Sequence, residues 1–370
     1  MVAPGLYVHV PFCRSKCPYC GFYSVPSRTP IPIWFEGIRT ESLFYKGRFG
    51  WFDSLYLGGG TPTFLHETTL TGLIDHLLSR FDFSTDTEFT IEANPCDLTE
   101  EKVRCLKACG CNRVNVGIQS FDDRELSFLG RSHTAGDAKK ALTRLRRFRF
   151  DNVSVDLIYG LPGQTLKGWV DTLNDTLSFE PEHISCYQLT LEEKTVFGRL
   201  RERGGFCPLD EETERTLFLT TSRFLTERGY VHYEISNFAR DEAHCSRHNQ
   251  KYWDHVPYLG LGPSAHSFDG KKRWWNTRSI RAYGAQLERG GPPIEGRETL
   301  TDEQLRLEAV ALGLRTRKGV DLRLLSAASP SGGVLSRMER EGFVRRLNGR
   351  ILPTEKGYLV ADQLPLYLSG

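Results

Sequence analysis

Cys13-x3-Cys17-x2-Cys20 sets three thiols within eight residues, in a stretch that also holds Pro11 and Pro18. Thiolates so spaced can wrap one soft metal centre without help from distant parts of the chain. Three of them leave one coordination position open, which suits an iron–sulfur cluster with one iron free for a substrate. Zinc is the rival occupant, with His9 or another residue completing a Cys3His site. A second triplet, Cys105-x3-Cys109-x-Cys111, has comparable spacing but a different setting. Cys105 and Cys109 lie four apart on an expected helix, and Cys111 follows Gly110, an expected C-cap. Those thiols are expected to pack a helix against a sheet.

Gly58-Gly59-Gly60-Thr61-Pro62-Thr63 permits close backbone approach, although a tight turn would use the same glycines. Glu92, Gln119 and Asp156 each stand at or near the end of an expected strand. Singly, such residues serve as caps or structural carboxylates. Together they ring one end of a sheet, where a polar small-molecule cofactor fits. His248-Asn249-Gln250-Lys251-Tyr252-Trp253 offers an imidazole, an axial ligand for haem iron, beside rings that can stack on a porphyrin. Tyr258 and His266 add to that group. The plainer alternative is a hydrogen-bonded structural histidine.

The elements that must position these residues follow from periodicity. Strands are expected at Leu6–Val10, Asp53–Leu57, Glu88–Glu92, Arg113–Ile118, Val153–Ile158 and His183–Gln188. Amphipathic helices are expected near 32–46, 68–80, 99–108, 134–149, 165–177 and 211–228. This alternation predicts an α/β fold with a parallel sheet and right-handed crossovers. Ligands then sit at the carboxyl ends of the strands. Periodicity weakens after residue 230, and Gly290-Gly291-Pro292-Pro293 reads as a linker. Beyond it come helices at 301–315 and near 320–327 and 332–341, then a hairpin turning at Asn348-Gly349, a winged-helix-like pattern. The expected division is 1–235, 236–295 and 296–370.

The chain of 370 residues is 25% charged and 39% hydrophobic with net charge +2, which argues against disorder and against a chain that seeks polyanions as a whole. No run nears the ~18 apolar residues that a membrane span needs. Met1-Val2-Ala3-Pro4-Gly5 has no basic start and no apolar core, so a reducing cytoplasm is the expected compartment. Arg306–Arg350 carries ten Lys or Arg against four Asp or Glu. That basic winged helix is expected as a solvated face and not as a nucleic-acid reader.

Tyr7-x-His9-x-Pro11-Phe12-Cys13-x3-Cys17-x2-Cys20, followed by Gly58–Thr63, resembles the radical S-adenosylmethionine (SAM) superfamily. Gly117–Phe121, Leu129-Gly130-Arg131 and Asp156–Gln164 are similar to its oxygen-independent coproporphyrinogen III oxidase branch. The resemblance implies a partial (β/α)6 barrel with a small C-terminal winged-helix-like domain. It implies a [4Fe–4S] cluster on Cys13, Cys17 and Cys20, with SAM on the fourth iron, and a reduced cluster that cleaves SAM to a 5′-deoxyadenosyl radical. Tyr7, Tyr19, Gly59, Gly60, Thr61, Glu92, Gln119, Arg131 and Asp156 fall at SAM-contacting positions. Two departures matter: the oxidases have a further cysteine where Phe22 stands, and an extension before the first strand. The HNxxYW segment instead matches the HemW-type haem chaperones and implies His248 as a haem contact. The expected partners are haem, apo-proteins that accept it, such as respiratory enzymes, and an electron donor. Nucleic acid is not expected, no residue is singled out as catalytic, and membrane-surface contact and a homodimer stay open.

Overall fold

Runs of β-branched and aromatic residues become strands β1 (Gly5–Val10), β2 (Trp51–Gly59), β3 (Asp82–Ala93), β4 (Arg113–Gln119), β5 (Val153–Tyr159) and β6 (His183–Gln188). The computed structural model describes residues 2–205, 207–325 and 332–368. These six strands lie side by side in chain order, each parallel to the next. Helices α1 (Ile31–Leu43), α2 (Glu67–Arg80), α3 (Glu100–Ala108), α4 (Asp123–Phe128), α5 (Ala135–Arg147) and α6 (Leu166–Leu177) carry the chain back between them. Thr99, Thr134 and Thr165 cap α3, α5 and α6, each accepting from a first-turn N–H. On α5, Ala138, Ala141, Leu142 and Leu145 repeat at helical spacing and are buried.

Period-two alternation gives each strand two different faces. Leu6, Val8, Leu55, Leu57, Ile91, Val114, Val116, Val153 and Val155 pack in the main core and are at most 1% exposed. Between them, Tyr56, Thr90, Glu92, Asn115, Ser154 and Asp156 line an internal cavity. A barrel interior is ordinarily filled by branched aliphatic side chains, so this polar lining is a departure that needs a use.

Past β6 come α7 (Val196–Glu202), α8 (Glu211–Thr226), β7 (Val231–Glu234), β8 (Asn237–Ala239), α9 (Arg247–Trp253), β9 (Tyr258–Leu261), β10 (His266–Phe268), β11 (Lys272–Asn276), α10 (Ile280–Glu288) and β12 (Ile294–Thr299). The full sheet runs β12-β11-β10-β9-β1-β2-β3-β4-β5-β6-β8-β7. Among the described residues no pairing joins β1 to β6, so the barrel is partial. Residues 236–295, expected as a connecting segment, supply β8–β11 to this sheet and lay α10 against α1. Gly290–Pro293 is the turn between α10 and β12, and not a linker between units. Periodicity was weak there because short antiparallel strands with bulges carry few residues each.

The remainder forms α11 (Asp302–Gly313), β13 (Val320–Asp321), α12 (Gly332–Arg340), β14 (Val344–Leu347) and β15 (Arg350–Pro353), with a second sheet ordered β13-β15-β14. Asn348 and Gly349 both take positive φ, 49° and 74°, as the two-residue hairpin turn requires. Near 320–327 the chain makes only a single 3-10 turn, Leu322–Leu324, and positions 326–327 lie outside the described residues. Val310, Leu314, Val320, Met338, Val344 and Ile351 form a core of their own. No helix among the described residues is long and apolar enough to cross a membrane.

Candidate functional site

The three cysteines of the first triplet lie in the loop that follows β1, pinned where Phe12 bridges Val25 and where the Val25 N–H donates to the Pro11 carbonyl at 2.8 Å. All three line one end of a cavity of about 420 Å³. The Thr61 hydroxyl donates to Cys13 Sγ at 3.6 Å, and the Arg131 guanidinium donates to Cys17 Sγ at the same distance. Burial pushes the Cys13 and Cys20 thiols up, so without metal they keep their protons, and a metal centre must displace them. His9, the candidate fourth ligand for zinc, has both ring nitrogens engaged, one by the Tyr7 hydroxyl and one by the Tyr23 carbonyl. Among the described residues no three His, Cys, Asp or Glu side chains are grouped to hold a single metal ion.

The glycine run supplies the next wall. Gly59 has φ 103°, and a Cβ on Gly60 would come 2.7 Å from the Phe12 and Val10 carbonyls, so only glycine fits against the cluster loop. Glu92 accepts from the Tyr56 hydroxyl at 2.8 Å and the Gly59 N–H at 3.0 Å. Burial nevertheless pushes its carboxyl up to about 7. Gln119 has φ 71° where the β4–β5 register shifts, a strained backbone at a cavity wall. Asp156 accepts from the Asn115 amide at 2.7 Å through one oxygen, and burial raises its pKa too.

The other Asp156 oxygen, Arg131 Nε and Thr90 Oγ1 are buried and have no hydrogen-bond partner. Buried polar atoms are rarely left so. A guanidinium, a carboxylate and a hydroxyl facing one cavity beside three thiols fit a cluster with a zwitterionic nucleoside, which brings a carboxylate, an ammonium and ribose hydroxyls.

Of the expected SAM contacts, Tyr19, Gly59, Gly60, Thr61, Glu92, Gln119, Arg131 and Asp156 all line this cavity. Tyr7 stands one layer behind, its hydroxyl on His9 Nδ1 at 2.9 Å and its ring 6.1 Å from that of Tyr56. Thr90, Asn115, Ser154 and Ser185 line the cavity as well and were not singled out from the sequence. Thr90 and Ser154 lie two residues before Glu92 and Asp156 on the same strands, whereas Asn115 and Ser185 are their register partners on β4 and β6.

His248, expected as a haem contact, is not among the residues that line this cavity. It is 1% exposed, packs on Gly5, and its Nδ1 and Nε2 meet Ser54 Oγ and the Tyr252 hydroxyl, each at 3.0 Å. Gly5 and Ser54 are register partners at the start of β1 and β2, the opposite end from the cysteine loop. In this arrangement the imidazole has no nitrogen free for iron. From the same helix, Asn249 and the capping residue Ser246 do reach the cavity wall. Cys105 and Cys109 share the Thr71 hydroxyl at 3.4 and 3.5 Å, Cys111 is buried, and none of the three lines the cavity.

A family model for the radical SAM superfamily matches residues 7–176, and one for the HemN C-terminal domain matches 300–360. The chain is 35% identical over 372 residues to a protein of Bacillus subtilis (strain 168) named heme chaperone HemW, spanning 97% of each chain. It is 33% identical to a mitochondrial radical S-adenosyl methionine domain-containing protein 1 of Bos taurus, over 86% of this chain and 75% of that one. A solved structure of the coproporphyrinogen III oxidase HemN from Escherichia coli superposes with a TM-score of 0.86, covering 99% of this chain and 90% of that one. At 24% identity that likeness speaks for the fold alone. With 97% of its length matched at 35% identity, the chain belongs to the HemW family within the radical SAM superfamily.

Proposed function

We propose that this protein is a haem chaperone built on a radical SAM barrel, which binds haem and delivers it to apo-proteins such as respiratory enzymes. The carrying observation is the end-to-end similarity to a protein named heme chaperone HemW, at 35% identity. Membership of the superfamily implies a [4Fe–4S] cluster and SAM. In this reading Cys13, Cys17 and Cys20 hold the cluster. Bound together, the two supply one-electron reductive chemistry at a sulfonium.

The chain's own residues do the holding. Arg131, anchored by the Gly117 carbonyl at 2.6 Å, keeps Nε for a carboxylate. Gly59 and Gly60 let the backbone approach, and the free Asp156 oxygen takes a hydroxyl or amine. Glu92, with a pKa near neutrality, accepts from Tyr56 and Gly59 whether or not it carries a proton. An electron donor and a cytoplasmic setting complete the reading.

Phe22 stands at the cavity mouth, 67% exposed, where the oxidases carry a cysteine. An anaerobic assay with the reconstituted protein, SAM, reductant and coproporphyrinogen III separates the activities. No protoporphyrinogen is expected. Its sustained formation would make the protein an oxidase.

A further inference from the structure

Of the second cysteine triplet, only Cys111 turns into the sheet, its buried thiol donating to the Arg113 carbonyl at 3.2 Å. Cys105 and Cys109 turn toward α2 and are half-buried at the surface. They stand one helical turn apart at the end of α3, joined by the hydrogen bond from the Cys109 N–H to the Cys105 carbonyl at 3.0 Å. The Thr71 hydroxyl lies between the two thiols, 3.4 Å from one sulfur and 3.5 Å from the other. Asp75, one turn beyond Thr71 on α2, brings its charge to Cys109. Neither sulfur lines the cavity, so this pair is separate from the cysteines of the first loop.

Two thiols aimed at one point can be joined directly or through a third atom. A disulfide needs Cβ atoms ~3.5–4.5 Å apart, whereas positions four apart on a helix hold them ~5–6 Å apart. Direct joining would therefore unwind the end of α3, and a thiophilic atom set between the sulfurs supplies the missing length. The neighbours fix its coordination number. Among the described residues no third His, Cys, Asp or Glu is grouped with the pair. That disfavours zinc, which takes four ligands, and favours a soft ion satisfied by two thiolates, which is monovalent copper. Two S–H bonds break, two Cu–S bonds form, two protons pass to solvent, and the copper keeps its charge. Burial above all pushes the Cys109 thiol up, so its proton yields only to an ion that binds sulfur strongly.

We propose that Cys105 and Cys109 form a two-coordinate site for monovalent copper, with the Thr71 hydroxyl holding the two thiols in register. Anaerobic titration of the cluster-reconstituted protein with Cu(I) held by bicinchoninate tests it, followed by alkylation of the free thiols and peptide mapping. About one equivalent is expected to leave the chelator, with iron and sulfide contents unchanged. Cys105 and Cys109 should gain protection from alkylation, while the exposed Cys207 stays reactive. In the double variant Cys105→Ser, Cys109→Ser the affinity should fall about a hundredfold, with the melting temperature unchanged. Equal copper uptake by that variant, or copper bound only as iron leaves the cluster, would overturn the assignment. So would protection of thiols other than this pair, a readout on the wild type that decides the matter even where the variant does not fold.

Discussion

Removing the His248 imidazole leaves the Ser54 hydroxyl and the Tyr252 hydroxyl facing each other across an empty space, and Lys251 beside them still buried. Both losses act on stability: a cavity, and polar groups without partners. His248→Ala is expected to cost about 2–4 kcal/mol in unfolding free energy. Denaturant unfolding of the variant checks this. An unfolding free energy equal to the wild type's would contradict that expectation. The two backbone N–H groups that open α9, from Arg247 and His248, both donate to the Glu88 carboxylate at 3.0 Å, so the histidine belongs to a braced plug. Motif spacing cannot distinguish these roles, because haem ligation and bracing both ask for an imidazole beside a tyrosine.

At the level of elements, α9 ties the barrel to the C-terminal domain. Its start faces the cavity through Asn249, and its end meets the domain through Trp253 and Asp254. The Arg315 guanidinium lies 5.4 Å from the Trp253 ring, Lys318 pairs with Asp254 at 2.7 Å, and the Arg317 N–H donates to the Tyr233 carbonyl at 3.0 Å. The ion pair is half exposed and contributes little; the indole contributes more. Trp253→Ala is expected to cost about 2 kcal/mol and to split the calorimetric unfolding peak in two, as the barrel core and the C-terminal core melt separately. One unsplit peak at the wild-type temperature would contradict that. Strands β1–β6 and all their connecting helices but the short α4 were evident in the sequence because alternation and amphipathic periodicity are local signals. The extension β9–β12 was not, since its strands are three to six residues long and it joins the sheet only through β9, which pairs with β1 some 250 residues earlier. The cysteine loop was recognisable as a metal site from its three thiols, and the choice of an iron–sulfur cluster over zinc came from the resemblance. Thr90 and Asn115 needed the register of β3 and β4 to place them on the cavity wall.

For the whole molecule, two sets of buried groups pull stability in opposite directions with pH. Burial lowers His9, His133 and His232 to about 4 and His248 to about 3. Their contribution is complete above the unfolded value of ~6.5 and is lost as pH falls toward those folded values. Burial raises Glu41, Glu92 and Glu234 to about 7, and their contribution is complete below ~4.5 and lost as pH rises through 7. Between roughly pH 4.5 and 6.5 the two sets oppose each other, so stability should be nearly level there. It should fall below that window as the histidines dominate, and from pH 6 to 8 as the glutamates do. Glu41, held by Gly262, Asn276 and Tyr283, accounts for about 1 kcal/mol of the alkaline loss. In Glu41→Gln the difference in melting temperature between pH 6 and 8 should shrink, and an unchanged difference would contradict the assignment. All of these groups serve a barrel whose proposed purpose is to carry haem, and that is the claim to test. The direct measurement is haem transfer: load the cluster-reconstituted protein with one equivalent of haem, mix it with an apo-acceptor, and separate the two. The account predicts that haem appears in the acceptor faster than from free haem or from haem-loaded albumin. A protein that retains no haem on separation, or an acceptor that fills no faster than from those controls, would contradict it.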